Sequence, residues 1–131
     1  VWIINLDIHI LNHTGNLIDA SGLAAMQALM NTRLPEFDGE RVVFGSRTNK
    51  KLPIKHKPIP VTLAKLGDVM VVDPDIEEED VAGTKITVST NEKGNICAIQ
   101  KDGTEPLTMK EVEKAFEISI KKGKDLRKLL S

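Results

Sequence analysis

The stretch LDIHILNHTGNLIDASGLAAMQALM, residues 6–30, decides how the chain is to be read. Around its start Ile4, Leu6, Ile8 and Ile10 alternate with Asn5, Asp7 and His9, the period of two that marks a strand with one buried face. Residues 13–16 then form a tight turn. Ala20, Ser21, Gly22, Ala24, Ala25 and Ala28 follow, side chains small enough for a helix backbone to lie close against a sheet. This helix is expected to run from residue 19 or 20 to residue 31. Asp19 is its expected N-cap, because a carboxylate there accepts from the free amides of the first turn.

Composition sets bounds on function. The chain has 131 residues, enough for one modest domain. Its 18 Lys and Arg against 19 Asp and Glu leave no overall basic excess, so contact with a polyanion has to come from a local patch. The one cysteine, Cys97, has no internal disulfide partner. Its neighbours Ile96, Ala98 and Ile99 make it read as a buried small hydrophobe in a reducing, cytoplasmic setting. No apolar run approaches the roughly 20 residues that span a bilayer, and the opening residues lack the basic leader and cleavage site of a signal peptide. The sequence opens without methionine inside an apparent strand, so an upstream part is expected.

Further along, Pro35 and the pair Asp38, Gly39 mark residues 32–40 as a loop, and residues 41–44 are a short strand candidate. Residues 47–57 carry Arg47, Lys50, Lys51, Lys55 and Lys57 and no acid. A run of this kind reads first as a solvated loop and second as a contact to RNA phosphates or to a partner's acidic surface. It lacks aromatic residues for stacking, so it would add affinity rather than selectivity.

Residues 58–74 read as a β-hairpin turning at Gly67 and Asp68, with Val69–Val72 apolar throughout, as expected for a central strand covered on both faces. Six acids within the eight residues 73–80 lack the alternating ligands and glycine of a calcium loop and read as a solvated turn. Two strands, 84–90 and 95–100, flank a turn at 91–94, and alternation of Ile86 and Val88 with Lys85, Thr87 and Ser89 gives the first of them one polar face. The last element is a helix over 109–130. Thr108 and Glu111 form its capping box, Leu107 and Val112 its staple, and Gly123 weakens it by about 1 kcal/mol relative to alanine. His9, His13 and His56 show no metal-ligand spacing, so no metal site is expected. The element order implies an α+β fold of sheet and helices.

The strand–turn–helix passage, IPVTLAKLGDVMVVDP with its acidic tail, and KITVSTNEKGNICAIQKDGTEPLT resemble the RNase PH family, and within it the non-catalytic RNase PH-like subunits of the archaeal exosome. The resemblance covers nearly the whole chain. It implies one RNase PH-like domain over residues 1–131, of the ribosomal-protein-type β-α-β kind, with helices on a mixed sheet and its N-terminal half missing.

The resemblance also assigns positions. Catalytic members carry Gly-Gly-Thr-Arg at the turn, where Thr-Arg holds the inorganic phosphate that attacks RNA. A gapless overlay puts Gly15 and Asn16 on the glycines and Leu17 and Ile18 on the phosphate-binding pair. VVDPDIEEEDVAGTKITV places Lys85 on the catalytic aspartate and Glu79 near a second acidic position. Aliphatic side chains do not bind an anion, and a lysine does not hold a divalent cation.

What the resemblance therefore implies is a non-catalytic subunit alternating with a catalytic RNase PH-like partner in a six-membered ring, joined by RNA-binding cap subunits. Such a subunit completes the partner's active site and helps hold single-stranded RNA. It has no cofactor of its own, while the complex uses inorganic phosphate and Mg2+. The family's RNA-contacting arginines on the non-catalytic side lie upstream of Val1. The alternative is an active phosphate-dependent 3′-to-5′ exoribonuclease, which would need a Thr or Arg beside Gly15. A free-standing domain without an RNA role would have to be a stable monomer.

Overall fold

A computed structural model of the chain describes residues 3–130. The elements are α1 (Leu17–Asn31), β1 (Ile59–Leu66), β2 (Val69–Val72), α2 (Ile76–Val81), β3 (Thr84–Thr90), β4 (Ile96–Gly103) and α3 (Met109–Arg127). The strands form one sheet in the order β2-β1-β3-β4, with Val61 opposite Val88 and Lys85 opposite Asp102. The fold is α+β, as expected. Every pairing among the described strands is antiparallel, however, so the expected mixed sheet has no parallel pair there.

The sheet's alternation sorts the side chains. Val61, Leu63, Ile86 and Val88 point to one face and meet Ala115 of α3, with Leu107, Val112, Phe116 and Leu126 packed around them. Burying each of the larger side chains stabilises the fold by about 1.5–3 kcal/mol. The Thr108–Glu111 capping box is present, and both staple residues, Leu107 and Val112, reach this core. Gly123 is buried at the far end of α3, where a Cβ would stand 2.7 Å from the Thr90 hydroxyl oxygen. The glycine that costs helix propensity is what lets α3 approach β3. The helix ends at Arg127, whose guanidinium donates to the Thr90 carbonyl, rather than at residue 130.

Several expectations are corrected. Ile4, Leu6, Ile8 and Ile10 alternate as a strand would, yet they form none and lie about half exposed, because no neighbouring strand pairs with them. Asp19 does not cap α1. The helix begins at Leu17, with Asn16 as N-cap in the left-handed region (φ 45°), which leaves Asp19 inside the first turn. Val69–Val72 is an edge strand, and Val69 is 60% exposed. Cys97 is exposed too, because β4 is the opposite edge and α3 covers β1 and β3 instead. The strand candidate at 41–44 is reduced to a single bridge between Val42 and Phe37. The acidic turn is the short helix α2, capped reciprocally by Asp75 and Glu78.

Candidate functional site

The turn before α1 is held by a chain of polar contacts. Gly15, at φ 115°, lies so close to Pro74 and Asp75 that a Cβ would come within 2.6 Å of their backbone. Asn16 donates from Nδ2 to Asp19 (2.9 Å) and to Asp73 (2.6 Å). The Asp19 carboxylate in turn accepts from the Thr62 amide and the Thr62 hydroxyl, both at 2.8 Å. Since the Thr62 hydroxyl proton goes to Asp19, the Thr87 hydroxyl 2.8 Å away is the donor of the next link. A carboxylate accepting three such bonds exchanges its water partners for protein donors.

This string ends in a narrow crevice on the sheet face opposite α3. Asn16 and Ile18 line it from the turn and α1, Glu79 from α2, Lys85 from β3, and Gln100 and Asp102 from β4. Ile18 and Lys85, the positions overlaid on one phosphate ligand and on the catalytic acid, thus come together with Glu79. Leu17 is half-buried and does not line the crevice. The Lys85 ammonium lies 3.1 Å from Glu79 Oε1 and 3.8 Å from Asp102 Oδ2, with about a quarter of the Lys85 and Glu79 side chains exposed.

The arrangement limits the chemistry. The crevice's one cation is already neutralised by two carboxylates, and its Ile18 wall offers an anion no donor. The two carboxylates are in turn separated by the ammonium rather than free to share a metal. Among the described residues no group of three His, Cys, Asp or Glu could hold a metal ion. Sequence reasoning missed Asp19 as a buttress and Asp102 as the second partner of Lys85. The register that sets Lys85 opposite Asp102 is the signal that would have found the latter.

The basic run stands elsewhere. It folds back on the chain after α1, with Leu34 N donating to Lys50 O (2.9 Å) and Leu52 N to Thr32 O (3.1 Å). Arg47, Lys50, Lys51 and Lys55 are exposed, Lys57 is half-buried, and none of the five lines the crevice. At its end the Glu92 carboxylate takes the His56 ring nitrogen at 2.7 Å and the Lys57 amide at 3.1 Å. These two bonds hold the Glu92 carboxyl down to about 2, the histidine contributing most. A wider groove between α1 and α3, lined by Leu23, Val61, Val72 and Leu126, lies on the α3 side of the sheet.

Known proteins share this fold. The 3′ exoribonuclease family matches in both of its parts, domain 1 over residues 1–35 and domain 2 over residues 56–122. A Thermococcus gammatolerans protein named Exosome complex component Rrp42 is 42% identical over 99% of this chain and 49% of its own length. A Thermoplasma acidophilum protein of the same name is 44% identical over 97% of this chain and 46% of its own. The chain therefore spans about half the length of the curated relatives it matches.

Among solved structures, a chain of the Archaeoglobus fulgidus exosome with RNA bound to the active site superposes with a TM-score of 0.78 at 36% identity, over 92% of this chain and 46% of that one. A chain of an archaeal exosome core gives 0.78 at 37% identity, over 92% and 47%. Rice Rrp46 shares the fold at 16% identity and a TM-score of 0.63, over 92% of this chain and 50% of its own. The turn–helix scaffold, the sheet behind it and the two matched family regions lead to one conclusion: the chain belongs to the RNase PH-type 3′ exoribonuclease family.

Proposed function

We infer that the chain is part of a non-catalytic ring subunit of an RNA exosome. In this reading it supports 3′-to-5′ phosphorolytic degradation by shaping the active site of a catalytic RNase PH-like partner and by helping to hold single-stranded RNA. The observation that carries the reading is the crevice: Lys85 is bound between Glu79 and Asp102, and Ile18, the position the resemblance aligns with a phosphate ligand, lines the same crevice. Phosphorolysis requires groups that hold one anion beside another and an acid or metal for the departing 3′ oxygen. Neither requirement is met by a neutralised lysine and an aliphatic wall.

The relatives' name and the RNA-bound archaeal neighbour support membership in such a complex. In this reading the partners are a catalytic RNase PH-like subunit alternating around a hexameric ring, RNA-binding cap subunits and single-stranded RNA. The complex, rather than this chain, uses inorganic phosphate and Mg2+, and it works in the cytoplasm. No described helix is long and apolar enough to cross a membrane.

The test incubates the protein at its full natural length with an A-rich single-stranded RNA, inorganic phosphate and Mg2+, alone and mixed with a catalytic RNase PH-like partner. Nucleoside diphosphate release is followed. No release alone, with release in the mixture above the partner's own, is the expected result. Release by this protein alone would overturn the reading and support an active phosphate-dependent exoribonuclease.

A further inference from the structure

The segment between α1 and β1 belongs to no part of the crevice, and its charge is unlike that of the rest of the chain. Residues 33–57 hold seven Lys and Arg against three acids, in a chain whose 18 Lys and Arg and 19 Asp and Glu nearly balance as a whole. All three acids precede residue 41, and Asp38 is engaged by Arg41 and by the amides of Glu40 and Arg41. Where the segment folds back on itself, Arg33 and Arg47 line one cleft at the end of α1. No carboxylate lines that cleft.

A helix C-terminus attracts cations, and the bland role for these guanidiniums is to satisfy its carbonyls. Here other groups already do so: Asn31 donates to Gln27 O, and Thr32 donates from its hydroxyl to Ala28 O and from its amide to Leu29 O. Arg33 is anchored on the Asn49 carbonyl at 3.1 Å. Arg47 has no hydrogen-bond or ion-pair partner among the described residues. Just before it, beyond the tight turn at Gly45 and Ser46, Phe44 stands fully exposed.

An unpaired guanidinium three residues along the chain from an exposed aromatic ring offers what single-stranded nucleic acid binds, backbone on the cations and base on the ring. A protein-docking core is depleted of lysine, whereas this segment carries Lys50, Lys51, Lys55 and Lys57. We propose that residues 33–57 form a contact site for single-stranded RNA, with a phosphate between Arg33 and Arg47 and a base stacked on Phe44. Lys50 and Lys51 extend the cationic track. The proposal rests on the reading of the protein as an RNA-handling subunit and gives that role a location distinct from the crevice.

The test titrates a labelled A-rich single-stranded RNA into the protein at its full natural length, by itself and assembled with the catalytic partner, over a series of salt concentrations. Arg47→Ala is expected to weaken binding severalfold and to reduce the salt slope by about 0.7, the share of one phosphate contact on a single strand. Phe44→Ala is expected to weaken binding about tenfold with the slope unchanged, and Phe44→Trp to restore it. Both side chains are exposed, so circular dichroism should be unaltered.

Unchanged RNA affinity and slope in both variants would overturn the proposal. So would variants that bind RNA normally but fail to assemble, which would make the segment a protein interface. Failure of the unmodified protein to assemble would sink the exosome reading alone, because the titration of the isolated protein still reads the RNA site.

Discussion

Lys85 and Asp102 face each other across the β3–β4 ladder, yet the Lys85 ammonium lies closer to Glu79 of α2, 3.1 Å away against 3.8 Å. One side chain therefore ties a helix to two strands. The position that the family resemblance assigns to a catalytic acid is occupied by a cation held in place by acids.

Lys85→Met should weaken the fold by about 1 kcal/mol at neutral pH, since a pair this exposed to solvent contributes little and the two carboxylates left behind can rehydrate. Lys85→Asp should be worse, because it places three carboxylates at one crevice. Its melting temperature should then rise on adding Mg2+ or Mn2+. A melting temperature for Lys85→Asp that does not respond to either cation would mean that Glu79 and Asp102 do not converge as described.

Asp19→Ala should cost about 3 kcal/mol in urea unfolding, because it leaves the Thr62 amide and hydroxyl without their acceptor and the Asn16 amide group with Asp73 alone. Asp19→Asn keeps one oxygen and should cost less. The two variants are expected to differ in midpoint and not in the slope against urea.

Gly123→Ala would be expected from helix propensity to gain about 1 kcal/mol. The added Cβ would stand 2.7 Å from the Thr90 hydroxyl oxygen, so the net effect should be a loss of about 1–2 kcal/mol. Gly22→Ala should behave alike, because its Cβ would strike the Pro60 ring on β1. Pairing Gly123→Ala with Thr90→Ala removes the obstructing hydroxyl and should recover part of the loss.

These glycines mark the boundary of what the sequence makes legible. The capping box of α3, the hairpin of β1 and β2, and the small-residue face of α1 are local patterns, and each appears in the structure. What depends on distant partners was hidden. Asp19 reads as a cap because Thr62, its true partner, lies 43 positions away. Val69–Val72 and Cys97 read as interior because apolarity does not say whether a strand sits at the centre or the edge of its sheet. The alternation of residues 4–10 specifies a strand's faces but supplies no neighbouring strand. The crevice was partly legible because the resemblance assigned Ile18, Glu79 and Lys85 to site positions of the family, together with Leu17, which does not line it; Asp102 needed the strand register.

The His56–Glu92 contact gives a pH dependence whose sign follows from its direction. Glu92 is held from an ordinary 4.5 down to about 2 in the folded chain, first by His56 and then by the Lys57 amide. A carboxyl with a depressed folded value contributes stability above its unfolded value and loses it as pH falls toward the folded one. The contribution should thus be complete above about pH 4.5 and disappear between there and about pH 2. Carbon-13 NMR of the Glu92 side chain should show its titration in the lower part of that window. Glu92→Gln should remove this part of the acid sensitivity and free residues 56 and 57 at the end of the basic run. If Glu92 titrates near 4.5 in the folded protein, the contact to His56 does not exist in solution, and the end of the basic run is held by something else.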